Sequence, residues 1–177
     1  MEMISVPTFE ALPQESQKLL EPMKKKMGKI PNIILLMATS PALLDAYFKI
    51  DALGKQSSFS AKEQEYIKLA VAEANGCTYC VAAHTYIAKN MLKMSDDEIL
   101  EARKCCSSDK KLGALACLAA TVAKNKGHLD KNDIDVFFSL GYNQKDLMDF
   151  IGIIITMTIT NYVHNMTDID IDFPKVS

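Results

Sequence analysis

Apolar residues along this chain recur every three or four positions, and short polar clusters of the kind that start and stop helices break up the runs. A first amphipathic segment spans about Gln14 to Met27 and is closed by Gly28, Pro31 and Asn32. Ser40-Pro41 opens the next, with Ser as cap and Pro at the first helical position, ahead of the stripe Leu43, Leu44, Tyr47, Phe48 and Leu53. Ser60 and Glu63 form a capping box, each side chain reaching the other's free backbone N–H, and Asn75-Gly76 ends that helix in a left-handed turn. A further helix runs from about Cys77 to about Asn90. Ser95 and Glu98 form a second capping box, opening a short helix to about Cys105. Ser108 or Asp109 starts an Ala-rich helix that ends near Gly127. Asp130 to Asp133 caps another, closed by Gly141, and Asn143 to Asp146 opens the last, toward Val163.

The stretch Ile151 to Ile155 is β-branched and suits a strand by propensity. Its place in a run of about twenty residues behind a good cap makes it helical, and its apolar surroundings make it buried, in the core or in a subunit interface. Gly152, Thr156 and Thr158 interrupt it, which leaves it too short to span a bilayer. From Asp168 the chain reads as an extended arm. The pattern predicts one all-α domain of about eight helices over residues 1–177. Met27, Met37, Met91, Met94, Met148 and Met157 fall at helical positions and read as core filler; so does Cys117, among Leu115, Leu118 and Ala119. His128 reads as a surface residue, and His164 as either an interface contact or a solvent residue.

Composition supports this picture and narrows the function. Seven Gly and six Pro in 177 residues are too few for a β-sandwich or barrel, which needs a turn every 8–12 residues. The net charge of -2 gives no drive toward nucleic acid or an anionic membrane. Lys24-Lys25-Lys26 reads as a solvated helix face. The segment Met1-Glu2-Met3-Ile4 is acidic and lacks the apolar region of a signal peptide, which makes a cytoplasmic location the expectation. The five Cys would there be thiols unless chemistry oxidises them.

One constellation carries chemistry. Cys77-Thr78-Tyr79-Cys80 is a C-x-x-C, and His84 lies one helical turn beyond its second Cys. At about 100° per residue the three fall within roughly 60° on one helix face. Two thiols three apart at a helix start can close a disulfide, backbone N–H groups there favour thiolate, and an imidazole within reach can take a proton. Glu65 lies on the stripe with Leu69 and Ala72, so the turn at Asn75-Gly76 carries it against the next helix, where a carboxylate beside His84 would orient the ring and raise its basicity. The helix dipole favours Cys77 as the thiolate, and the one-turn spacing of His84 favours Cys80; we follow the latter. A zinc site on Cys77, Cys80 and His84 would need a fourth ligand, and Cys105, Cys106, His128 and His164 offer no second pair at metal-ligand spacing. The vicinal Cys105-Cys106 reads as two ordinary thiols with a minor auxiliary redox reading beside it.

Glu65, Cys77, Cys80 and His84, at this spacing, resemble the signature of the alkylhydroperoxidase D-like proteins in the carboxymuconolactone decarboxylase family. Leu69 to Cys77 is similar to that family's core helix pair, and Gly28 to Asn32 and Ser40 to Leu43 to its leading segment. Asn161 to Asn165 and Ile171 to Pro174 resemble, more loosely, the tail of its peroxidase-related branch; the core match covers about 28–105. The resemblance implies an all-α fold with the Glu65 helix and the C-x-x-C helix packed antiparallel, and a homo-oligomer, trimer or hexamer. It implies a peroxidase acting on hydrogen or organic hydroperoxides without metal or bound cofactor. Cys80 would attack the peroxide, Cys77 would resolve it, Glu65 and His84 would relay the proton, and an external thiol or dithiol protein would reduce the disulfide. Tyr79 stands where some relatives have a relay His, so it would line the substrate pocket instead. Members that decarboxylate a muconolactone lack the Cys pair, which argues against that reaction here. The alternative is a redox-sensing or disulfide-reductase partner in oxidative-stress defence, with little peroxidase activity of its own.

Overall fold

A computed structural model describes residues 4–174, apart from the side chain of Met27. The expectations placed on Met1, Glu2, Met3 and the packing of Met27 lie outside the described residues.

After a single 3-10 turn at Phe9–Ala11 the elements are α1 (Gln14–Met27), α2 (Asn32–Met37), α3 (Pro41–Asp51), α4 (Leu53–Gln56), α5 (Ala61–Ala74), α6 (Thr78–Asn90), α7 (Asp96–Arg103), α8 (Lys110–Lys124), α9 (Lys131–Ser139) and α10 (Gln144–Thr167). The fold is all-α, as the pattern predicts. The count exceeds eight because α2 and α4, six and four residues long, are too short to show a period. The caps act where the sequence places them: Ser40, Ser60, Ser95, Asp109, Asp130 and Asn143 each accept from a free N–H of the following turn.

The axis of the domain is α5. Ile67, Leu69, Ala70, Val71 and Ala72 are all buried, and α6, α7, α8 and α10 pack around it. The small residues Gly113, Ala116, Ala119 and Ala120 on α8 are buried and allow close helix approach. Truncating a residue such as Leu69 here would cost about 2–5 kcal/mol, because the surrounding helices cannot collapse into the space.

The long helix α10 spans 24 residues, longer than the apolar run suggests, and by length and composition it could cross a membrane; half of its most apolar window is buried inside the protein. Its inner face carries Phe150, Ile153, Ile154 and Met157 together with the polar Thr156, Thr160, Asn161 and His164. Its outer face leaves Met148, Ile151, Ile155, Tyr162 and Met166 exposed.

Four side chains depart from expectation. Met91 and Met148 are exposed, so of the described methionines in the predicted core set only Met37, Met94 and Met157 are buried. Cys117 is exposed, because it lies on the solvent side of α8 between the buried Ala116 and Leu118. His164 is neither an interface contact nor a solvent residue: it is 5% exposed, on the inner face of α10. His128 is at the surface, as expected. Beyond α10 the chain has no regular structure through Pro174, in keeping with an arm, and it is held down by buried Ile169.

Candidate active site

The turn between α5 and α6 is what assembles the site. Gly76 has φ +65°, and an added Cβ would touch nothing within 4 Å, so its requirement is conformational rather than steric. The turn closes through Gly76 N to Glu73 O at 3.0 Å and Cys77 N to Ala72 O at 2.9 Å. It is pinned to α10 from both sides: Asn75 Nδ2 donates to Asn161 Oδ1 and Asn165 Nδ2 donates to the Asn75 carbonyl, each at 2.8 Å. The Glu65 helix and the C-x-x-C helix are thereby folded back on each other.

Cys77 caps α6, its sulfur accepting from Cys80 N at 3.2 Å. Cys77 and Cys80 are joined as a disulfide, with Cα atoms 5.3 Å apart, inside the range a disulfide spans. Both residues are buried, and Cys80 Sγ lies 3.7 Å from Thr160 Oγ1 of α10. One turn along α6, His84 Nδ1 is 2.8 Å from Glu65 Oε2, and both side chains are largely buried. With Nδ1–H facing the carboxylate, Nε2 carries the lone pair that can accept a proton. Lys68 Nζ stands 3.6 Å from the other carboxylate oxygen. Burial raises the Glu65 pKa, but the charges and hydrogen bonds of His84 and Lys68 outweigh it and hold the carboxyl below its ordinary range. The structure thus shows two pairs, the oxidised Cys77–Cys80 pair and the His84–Glu65 pair with its carboxyl held below the ordinary range, and His84 follows Cys80 by one turn of α6.

Tyr79 occupies a different place. It is 1% exposed; its hydroxyl donates to Asp172 Oδ1 at 2.6 Å and accepts from Ile33 N–H at 3.2 Å. Burial and the Asp172 carboxylate push its pKa up, and its hydroxyl proton is directed at Asp172. Its ring packs against His164, with centroids 5.5 Å apart, and edge-on to Phe173 at 5.7 Å. Asp172 also pairs with Lys29 at 3.1 Å. The residue between the cysteines is thus a tether that fastens the C-terminal arm and α2 to α6.

Cys105, Cys106 and His128 do not join this cluster, and among the described residues no group of three or more His, Cys, Asp or Glu converges as metal ligands would. A cleft of about 580 Å³ between α6, α7 and Pro174 includes Thr85, Tyr86 and Lys89, which lie on the side of α6 away from His84. A second groove runs along the outer side of α10 past Ile151, Ile155 and Tyr162. Tyr79 lines neither.

Thr160, Lys68 and Asp172 border the site and were missed by sequence reasoning. Thr156 and Thr160, four apart on the inner face of α10, are the signal that could have found the first. Lys68, one turn after Glu65, could have been found by i,i+3 spacing. Nothing local points to Asp172.

Comparison with known proteins agrees with this architecture. The carboxymuconolactone decarboxylase family model matches residues 41–124. An uncharacterized peroxidase-related protein from Silicibacter sp. TM1040 superposes with a TM-score of 0.80 at 24% identity, covering 94% of this chain and 90% of its own. An uncharacterized peroxidase-related protein from Ralstonia eutropha JMP134, described as an alkylhydroperoxidase core, gives 0.80 at 24% identity, covering 98% and 92%. A debrominase in complex with 2,3,4-tribromopyrrole gives 0.78 at 22% identity, covering 97% and 93%. No curated protein matches the sequence.

Proposed function

We propose that this chain, whose residues 41–124 match the carboxymuconolactone decarboxylase family model and whose fold is the alkylhydroperoxidase D-like one, is a thiol-dependent peroxidase for hydrogen and organic hydroperoxides. The single observation that carries this reading is the buried His84–Glu65 pair, 2.8 Å apart, in which Glu65 reaches from α5 to the His84 that follows Cys80 by one turn of α6. A thiol cycle needs a group to take the thiol proton and return it to a leaving oxygen, and this pair supplies one.

In the cycle, the Cys80 thiolate attacks one oxygen of the hydroperoxide. The O–O bond breaks, and the alcohol leaves with a proton returned through His84, whose ring Glu65 orients. Cys80 becomes a sulfenic acid. The Cys77 sulfur then attacks it, water departs, and the disulfide forms. An external thiol or dithiol protein returns two electrons and two protons, so that each turn converts one hydroperoxide to an alcohol and water. No metal or bound cofactor takes part. The work is cytoplasmic, where thiol donors are abundant, and neither nucleic acid nor a membrane is involved.

The assembly is a homo-oligomer, trimer or hexamer. The apolar stripe Met148, Ile151, Ile155, Tyr162 and Met166 on α10 supports self-association, since it is exposed in the single chain.

The test is peroxide consumption with dithiothreitol as reductant. Turnover that vanishes in Cys80→Ser supports the proposal; a Cys80→Ser protein as fast as the parent removes it. Disulfide substrates turned over without peroxide would point to the reductase reading, and slow stoichiometric oxidation with a change in assembly to the sensor. Because one structure of this fold is a debrominase, bromopyrrole reduction belongs in the same assay panel.

A further inference from the structure

Three thiols stand apart from the active site. Cys105 and Cys106 follow α7, and Cys117 lies on α8. They converge. Cys117 Sγ donates to the Cys105 carbonyl at 2.6 Å, and Cys106 is the next residue along the same loop. The contact holds the Cys117 sulfur against the backbone of Cys105, whose own side chain has staggered rotamers to choose from.

Two backbone features build the cluster. Cys105 has φ +55°, a left-handed conformation uncommon for a residue with a side chain, which turns the end of α7 toward α8. Gly113 lies one helical turn before Cys117, and a Cβ there would stand 3.1 Å from Ser107 N and 3.6 Å from the Cys106 carbonyl carbon. The missing side chain lets the loop lie directly on the helix.

We propose that Cys105 and Cys117 are a second redox dithiol, closing to a disulfide that clips the connection between α7 and α8 onto α8. The oxidant is a hydroperoxide; the proposal takes only the oxidant class from the reading above and needs none of the active-site residues. Cys117, the more exposed of the two, attacks the O–O bond as thiolate and becomes a sulfenic acid while water or alcohol leaves. The Cys105 sulfur attacks the Cys117 sulfur, a second water leaves, and the S–S bond forms. Two thiols have then lost two electrons to one peroxide, and the books balance without a further reactant.

Burial first, then the neighbouring sulfurs, push the Cys105 thiol up to about 11, and burial likewise raises Cys117. Few thiolates exist at neutral pH, so the clip closes slowly, under sustained peroxide rather than on every catalytic turn.

The experiment uses the full chain carrying Cys77→Ser and Cys80→Ser, so that its outcome is independent of active-site peroxidase activity. Hydrogen peroxide is added, and peptides are mapped without reduction; Lys110 and Lys111 allow trypsin to separate the two cysteines. The expected result is loss of two of the three remaining thiols, with one cross-linked peptide pair joining Cys105 to Cys117. Its rate rises about tenfold per pH unit from 7 to 9, following the thiolate fraction. Cys106→Ser keeps the cross-link and Cys117→Ser abolishes it. Should the double variant fold poorly, the same peptide pair is sought in the parent protein. A link through Cys106 instead, a sulfinic acid on Cys117 with no cross-link, or three thiols that persist would overturn the proposal.

Discussion

Cys77 and Cys80 sit at the start of α6, both buried, with an imidazole one turn beyond Cys80 and a carboxylate of α5 2.8 Å from it. Cys105 and Cys117 sit on a loop and on the outward side of α8, where the charged neighbour is Lys124. The sulfur chemistry available is the same in both places; the provision for the proton is not. At α6 the His84–Glu65 pair follows Cys80 by one turn, and a helix start favours thiolate. At α8 desolvation and neighbouring sulfurs keep the thiols protonated. The difference predicts that reactivity will follow what surrounds a thiol more than its exposure.

The strongest way to break this comparison is to exchange the sulfurs one at a time. Cys80→Ser should lower peroxide consumption by about 100-fold or more, since the nucleophile is gone. Cys117→Ser should leave it within about twofold, as expected for a group outside the reacting cluster. Equal losses in a steady-state assay with dithiothreitol would mean that the two regions are not distinct.

Next comes the proton. Glu65→Gln keeps size and removes the charge facing His84 and Lys68. Loss of a positioned acid–base partner costs about 10²–10⁴-fold in the general case; because His84 itself remains, a fall near the lower end, about 100-fold, is expected in the rate of Cys80 oxidation, measured by stopped-flow. Oxidation of Cys105 and Cys117 should not change. Circular dichroism would separate this from misfolding.

The divide also marks what the sequence discloses. Caps at Ser60, Ser95, Asp130 and Asn143 were legible because each is set by residues three apart. The contact of Glu65 with His84 was legible because one tight turn joins two helices whose periods are known. Cys117 was misread because its neighbours in sequence, Ala116 and Leu118, are buried while its own phase on α8 faces out. Burial of His164 and the tether from Tyr79 to Asp172 depend on an arm that returns across 93 residues, and no local pattern encodes such a contact. The crossing of loop 105–107 over Gly113 is of the same kind: it needs three dimensions before Cys105 and Cys117 are neighbours.

Carboxylates allow a gentler test. Glu63 lies two residues before Glu65 on α5 but serves structure. It accepts from Ser60 N at 2.7 Å and Tyr142 Oη at 2.6 Å, and pairs with Lys111 at 3.0 Å. Burial raises its pKa, yet these partners more than offset that and bring it from 4.5 down to about 2. A depressed carboxyl stabilises the fold above its unfolded value, and that stability is lost as pH falls from 4.5 toward about 2. At neutral pH Glu63→Gln should therefore cost about 2 kcal/mol of unfolding free energy while leaving peroxide turnover unchanged. The variant's denaturation midpoint should approach the parent's as pH falls from 4.5 and converge on it only near or below about pH 2. A constant gap across pH would mean that Glu63 acts through packing alone.

The smallest expected effect lies at Gly113. A helix-interior Gly→Ala change ordinarily gains about 1 kcal/mol. Here the new Cβ would meet Ser107 N, a backbone atom, at 3.1 Å, so loop 105–107 must move by a few tenths of an ångström. The two effects oppose each other, and global stability should shift by less than about 1 kcal/mol. What should change is local: the loop lifts, Cys105 moves away from Cys117, and the cross-link between them forms several-fold more slowly under peroxide, while the reaction at Cys80 keeps its rate. The contrast between the two thiol pairs then becomes one of distance as well as of protons, because a substitution that adds one methyl group to α8 slows one pair and spares the other. If both pairs keep their rates in Gly113→Ala, close approach of the loop to α8 is not what brings Cys105 and Cys117 together.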